Sequence, residues 1–209
     1  MKIGFIGCGN MGSAMIGGIL RQGIFSKEEI IVSNLTPEGK ARSEKNLGVV
    51  TTLDNNEVVR SAKTVVLAVK PQFYEEVLSE VHDSLTKDHT IIGIAPGKTL
   101  AWLEEKAGLP LKVVRFMPNT PAQVGEGMTA VCANERVSQD ELAEILKITD
   151  SFGFIKKHNG SIHFNKTELL GILHFFRGTS KPVLISQDQL FHHCLHLRIQ
   201  GMQVGTDLF

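Results

Sequence analysis

Within its first twelve residues the chain passes from a short apolar strand, Lys2–Ile6, straight into Gly7-x-Gly9-x-x-Gly12. A strand this short, followed at once by a glycine turn and a helical pattern from about Asn10 to Gln22, reads as the opening of a strand–turn–helix unit. Each glycine has a separate physical task. Gly7 permits the tight turn, Gly9 lets the backbone come close to a ligand, and Gly12 lets the helix pack against the strand. Backbone N–H groups at the helix start then face outward, and the helix dipole favours a phosphate in front of them.

The rest of the first three quarters repeats this alternation. Ile30–Ser33 is a second short β-rich run, and Thr36-Pro37 starts a helix with Thr as N-cap and Pro at the first helical position. Thr64–Val69, Thr90–Ile94 and Lys112–Met117 are further apolar, β-branched runs too short for helices. Gln72–Leu85 and Thr99–Ala107 lie between them with helical spacing. Gly127–Ala133 reads as a last strand, and Ser138 with Glu141 is a capping box opening a helix that runs to about Phe152. Alternation on this scale predicts an α/β fold: a doubly wound, mostly parallel, Rossmann-like sheet with helices on both faces. Ligands of such sheets sit beyond the carboxyl ends of the strands. That gathers Gly7–Gly12, Ser33–Leu35, Lys70-Pro71 and Pro118–Pro121 into one crevice.

The residues at those ends suggest a dinucleotide. A site for NAD places a carboxylate at the end of the second strand to bind the ribose 2′-hydroxyl. Here the strand ends Val32-Ser33-Asn34, with no carboxylate until Glu38. Ser33 and Asn34 can hydrogen-bond a 2′-phosphate without repelling it, with Lys40 or Arg42 as sources of positive charge, so NADPH is expected over NADH. Pro71 holds Lys70 extended at the crevice. Two prolines fix the loop around Asn119 and Thr120, and Asn119 suits a carboxamide or carboxylate partner.

Composition excludes several other functions. Of 209 residues 42% are hydrophobic and the formal net charge is zero. Nothing electrostatic points to nucleic acid or a membrane surface, and no apolar run nears the roughly 20 residues of a membrane span. No secretory signal opens the chain, and three scattered cysteines (Cys8, Cys132, Cys194) form neither a disulfide framework nor a zinc pattern. A cytoplasmic protein is expected. The last 56 residues hold six of the eight histidines and six of the eleven phenylalanines, and six Lys+Arg against three Asp+Glu. A shift this abrupt places a boundary near Gly153. His192 and His196 are four residues apart, but no carboxylate or second cysteine lies beside them to complete three or four ligands, so no metal site is expected.

Several segments together resemble the pyrroline-5-carboxylate reductases. They are Gly4-Phe5-Ile6-Gly7-Cys8-Gly9-Asn10-Met11-Gly12, Val66-Leu67-Ala68-Val69-Lys70-Pro71-Gln72, Arg115-Phe116-Met117-Pro118-Asn119-Thr120-Pro121-Ala122, Val124-Gly125-Glu126-Gly127 and Asp150-Ser151-Phe152-Gly153. The first is shared with other dehydrogenases; the Met-Pro-Asn-Thr-Pro segment is far more specific. The resemblance implies hydride transfer from NADPH to the imine carbon of 1-pyrroline-5-carboxylate, giving L-proline. It also implies cofactor contacts from Gly7, Cys8, Gly9, Asn10, Met11, Gly12, Ser33 or Asn34, Asn55, and Ala68, Val69, Lys70 and Pro71. Asn119 would lie near the nicotinamide, with no catalytic residue assigned. Where the family has Ala-Ala-Gly, this chain has Ala95-Pro96-Gly97, and Pro96 offers no N–H.

The family continues with a helical domain that dimerises and completes the substrate pocket. Its Ser-Gly-Ser-x-Pro-Ala and Pro-Gly-Gly-Thr-Thr segments do not occur after Gly153. The sequence therefore divides into an NADP-binding domain at 1–153 and an unmatched, irregular segment at 154–209, read as a truncated or frameshifted dimerisation domain. On this reading cofactor binding persists, the dimerising part is missing, and little imine reduction is expected. Two alternatives stay open: a regulatory dinucleotide-binding module without activity, and another Rossmann-fold enzyme such as a hydroxyacid dehydrogenase.

Overall fold

The computed structural model describes residues 2–157, and every structural statement below concerns those residues. Eight strands form one sheet: β1 Ile3–Ile6, β2 Ile30–Ser33, β3 Val50–Thr52, β4 Thr64–Leu67, β5 Thr90–Gly93, β6 Lys112–Met117, β7 Gly127–Ala133 and β8 Gly153–Lys157. Their order is β3-β2-β1-β4-β5-β6-β7-β8. Neighbours are parallel from β3 through β6, β7 runs antiparallel to β6, and β8 runs parallel to β7. The strand order reverses between β1 and β4, which is where sheets of this kind open a crevice.

Six α-helices connect the strands: α1 Asn10–Arg21, α2 Pro37–Leu47, α3 Asn55–Ser61, α4 Tyr74–Val81, α5 Leu100–Ala107 and α6 Gln139–Asp150. Strand side chains alternate between two apolar layers. Ile3, Phe5, Val32, Val66, Val114 and Phe116 pack with Met15, Ile16 and Ile19 of α1 and Ile145, Leu146 and Ile148 of α6. Ile6, Ile31, Val65, Leu67, Ile91 and Val113 pack with Val58 and Val59 of α3, Tyr74, Val77, Leu78 and Val81 of α4, and Leu103 of α5. Burial on both faces explains why these strands are apolar at nearly every position. Gly4 is needed for this packing, because a β-carbon there would lie 2.5 Å from a Val58 methyl.

The local signals act as their chemistry requires. Thr36 Oγ1 accepts from the Gly39 N–H at 3.1 Å. At α6, Ser138 and Glu141 satisfy each other's backbone in a full capping box. The segment Gln72–Leu85 is less regular than its periodicity suggests: Pro71–Phe73 and His82–Ser84 are 3-10 turns flanking a short α4. Two elements beyond the sequence reading, β3 and α3, lie between β2 and β4. The sheet also continues past Gly153, since β8 pairs with β7 from Gly127↔Gly153 to Val131↔Lys157. The irregular segment, His192 and His196 fall otherwise outside the described residues.

Candidate functional site

The glycine turn leaves an open cradle. Gly7 has φ +90°, and a β-carbon on it would approach a Val69 methyl at 2.8 Å and the Ala68 carbonyl at 2.9 Å. One on Gly12 would come within 3.2 Å of both the Ala68 methyl and the Gly7 carbonyl. These two glycines let the turn and the start of α1 close on the end of β4. Gly9 differs: a β-carbon there would meet nothing within 4 Å. Gly9 is also the N-cap of α1, and no side chain caps that helix. The N–H groups of Asn10, Met11 and Gly12 have no intrahelical acceptor and lie next to open space. A pyrophosphate fits such a cradle by charge, donor geometry and room. Cys8 sits within the turn, its thiol 3.3 Å from Ser13 Oγ.

The end of β2 is arranged differently from the sequence expectation. Ser33 is fully buried, and its hydroxyl donates to Asn55 Oδ1 at 2.6 Å. The Ser33 proton is thus committed within the fold, to Asn55. The reason is the strand's alternation, which turns Ser33 with Ile31 toward α3, where Asn55 begins the helix. Asn55 is itself held, its Nδ2 donating to Glu80 Oε2 at 2.7 Å. Asn34 is 7% exposed; its Oδ1 accepts from Ser43 Oγ at 2.9 Å. Its Nδ2 is buried with no partner among the described residues. Lys40 pairs with Glu44 at 2.5 Å on the exposed face of α2, whereas Arg42 stands exposed.

Beyond β4, Ala68 and Val69 are half-buried against the glycine turn, and Lys70 is exposed in an extended conformation (φ −66°, ψ 150°) before the turn that Pro71 opens. Beyond β6, Asn119 Oδ1 accepts from the Met128 N–H at 2.8 Å. Asn119 Nδ2 is buried with no partner among the described residues. The 3-10 turn Thr120–Val124 that follows packs against α1 and ends at Gly125 with φ +82°. The Met-Pro-Asn-Thr-Pro loop therefore abuts the helix that the glycine turn opens. Leu35 and Leu53 directly follow β2 and β3 and are exposed, as are Phe73 and Val124 in the 3-10 turns after β4 and β6.

The buried polar groups that escaped the sequence reading include Tyr74 and Arg115. Tyr74 begins α4 fully buried, and burial pushes its hydroxyl well above the ordinary tyrosine range. Arg115 of β6 is 6% exposed and stands opposite Cys132 of β7. Burial pulls its guanidinium below the ordinary arginine value, and its Nε has no partner among the described residues. The phrase Arg115-Phe116 gave no local hint of this, since arginine is ordinarily exposed. No cluster of His, Cys, Asp or Glu among the described residues forms a metal site, and no helix among them is long and apolar enough to cross a membrane.

Residues 2–97 match the family model described as NADP oxidoreductase, coenzyme F420-dependent. The chain is 41% identical over 152 residues to the pyrroline-5-carboxylate reductase of Escherichia coli K12, covering 73% of this chain and 56% of that protein. Identity to the reductase of the same name from Methanosarcina acetivorans is 34%, with the same coverage. Over about three quarters of its length the chain is similar to the pyrroline-5-carboxylate reductases. It spans little more than half the length of these curated relatives. The pyrroline-5-carboxylate reductase structure from Coxiella burnetii superposes with TM-score 0.71 at 27% identity, covering 100% of this chain and 81% of that one. A Plasmodium falciparum pyrroline carboxylate reductase with NADP bound gives 0.69 at 25%, covering 99% and 80%. The likeness to a prephenate dehydrogenase from A. aeolicus, at 18% identity, TM-score 0.61 and coverage of 76% and 60%, extends to the fold alone.

Proposed function

We propose that this chain provides the cofactor-binding half of a pyrroline-5-carboxylate reductase of the cytoplasm, acting in proline biosynthesis. NADPH, when bound, supplies a hydride for the imine carbon of 1-pyrroline-5-carboxylate, and L-proline is the product. The observation that carries the reading is the open space over Gly9 in front of an uncapped α1. The N–H groups of Asn10 to Gly12 hold the pyrophosphate there. Asn34 Nδ2 is the donor left for the ribose end, with Asn55 fixed beside it. Lys70 contributes positive charge at the end of β4. Asn119 Nδ2, the donor of the Met-Pro-Asn-Thr-Pro loop with no partner among the described residues, orients the nicotinamide. The cofactor-binding domain on this reading is the sheet through β8, the residues beyond it a second segment, and the working form a homo-oligomer.

Titration of the chain with NADPH and NADH by fluorescence tests the cofactor assignment. NADPH is expected to bind more tightly, and equal or reversed affinities would refute it. A second reading, a dinucleotide-binding module without turnover, rests on residues 154–209, which lack both of the family's later segments. Positioning of the acceptor is worth roughly 7–11 kcal/mol of barrier, so its loss silences the enzyme while leaving binding intact. NADPH oxidation in the presence of the imine separates the two. Turnover near about 10 per second supports the reductase, and binding without turnover supports the module.

A further inference from the structure

We propose that Tyr74 is a positioning residue, whose hydroxyl fixes the spacing between the loops after β4 and β5 and so holds the nicotinamide half of the crevice in shape. The proposal rests on the dinucleotide reading given above. The last ladder pair between β4 and β5 is Leu67↔Gly93. One step further, the two strands no longer bond to each other directly. The Tyr74 hydroxyl stands between them instead. It donates to the Leu67 carbonyl at 2.5 Å and accepts from the N–H groups of Ile94 and Ala95, each at 3.0 Å. The ring is wholly buried among Leu67, Val77, Leu78 and Ala95. The side chain that ties the two loops is thus anchored in the core and not in solvent.

This hydroxyl acts as an inserted rung. It bonds three backbone groups at once, the Leu67 carbonyl and the Ile94 and Ala95 N–H groups, and so stands between the two strand ends. On one side it fixes the carbonyl that leads into Ala68–Pro71. On the other it fixes the start of Ala95-Pro96-Gly97. A dinucleotide lies across the point where strand order reverses, with its adenosine half toward β1 and β2 and its nicotinamide half toward β4 and its further neighbours. The Tyr74 tie belongs wholly to the second side. A buried tyrosine that served only to fill the core would need no such three-way bonding, and its loss would act on both halves alike.

The full chain carrying Tyr74→Phe keeps the ring and loses the hydroxyl, and two probes read the halves separately. NADPH engages both, and adenosine 2′,5′-bisphosphate engages only the adenosine side. NADPH affinity is expected to fall about fivefold to tenfold, the scale of one lost hydrogen bond, while bisphosphate affinity stays within about twofold. Leu78→Ala, which thins the same layer without touching the hydroxyl, is expected to leave the ratio of the two affinities unchanged. A parallel loss of both affinities in Tyr74→Phe, or no loss of either, overturns the proposal. If the wild-type chain binds neither probe, it is the dinucleotide reading that has failed, and the positioning role falls with it. Amide exchange on the unsubstituted protein guards against a variant that does not fold. Ile94 and Ala95 are expected to be protected like Ile92 and Gly93 of the ladder, and exchange at the rate of an exposed loop overturns the tie.

Discussion

The turn after β1 and the loop after β5 lie at the same carboxyl edge of one sheet, yet they treat their backbone donors in opposite ways. After β1, the N–H groups of Asn10, Met11 and Gly12 are left over, with neither an intrahelical acceptor nor a capping side chain. After β5, the N–H groups of Ile94 and Ala95 both go to Tyr74, and Pro96 has none to give. The first loop thus keeps donors free for a negative group, whereas the Ile94 and Ala95 donors of the second are already spent. Position at a sheet edge does not by itself make a phosphate site; the donors that packing leaves unused do.

The sharpest way to break this comparison is Gly9→Val. The backbone there (φ −77°, ψ −166°) accepts any residue, and nothing lies within 4 Å of the added carbon. The fold should persist, with a loss of about 1 kcal/mol for the poorer N-cap. The side chain would stand where a phosphate belongs, and losing contacts of charge-assisted strength should weaken NADPH binding about 100-fold or more. Retained affinity would mean that the open cradle is not the binding surface. Gly7→Ala should do the reverse. With φ +90° and a methyl 2.8–2.9 Å from Val69 and the Ala68 carbonyl, it should cost about 1–3 kcal/mol in urea denaturation. A neutral result would show that the turn relaxes freely.

Ser33→Ala asks whether the buried hydroxyl reads the cofactor. Because it faces Asn55 and not the crevice, the change should cost about 1 kcal/mol of stability. The NADPH-to-NADH affinity ratio should move by less than about twofold, and a large change in that ratio would restore the hydroxyl to the ligand. The smallest effect is a control far from both loops. Lys112 begins β6 at the opposite edge of the sheet, and its side chain bonds the Glu141 carboxylate. That bond, with those from Ser138, pushes the Glu141 carboxyl down to about 2. A depressed carboxyl adds stability above its unfolded value near 4.5 and loses it as pH falls through that value toward 2. At this exposed site Glu141→Gln should cost only about 0.5–1 kcal/mol at neutral pH, and the deficit should vanish near pH 2 without affecting NADPH binding. A deficit that is the same at both pH values would show that charge has no part in it.

Much of this architecture could be read from residue order because it follows from local rules. The strands β1, β2, β4, β5, β6 and β7 announce themselves as apolar runs, and α2 and α6 by their caps. β3 did not: three residues, with Val50 exposed, carry no periodicity. α3 had a signal in Asp54, which caps the Asn56 N–H, but seven residues are too few for a helical pattern to stand out. At the candidate site, the glycine loop was legible because backbone chemistry alone defines it. Which way Ser33 points was not, since that depends on Asn55 and Glu80 arriving from elsewhere in the chain. Tyr74 was invisible for the same reason. Its three partners come from the end of β4 and the loop after β5, and nothing next to it in sequence marks them.

The pairing of β7 with β8 bears on how pieces of this chain would behave in solution. Gly153 has φ +150°, and a β-carbon on it would lie 2.0–2.5 Å from the Gly127 backbone, so two glycines lie backbone on backbone where the ladder begins. A fragment cut after Gly153 would have no β8. β7, reading Gly-Met-Thr-Ala-Val-Cys-Ala without a single charge, would then be an open edge, and uncharged open edges recruit other copies of themselves. The eighth strand thus serves as a cover against self-association, and the change in composition at Gly153 is a poor place to divide the protein.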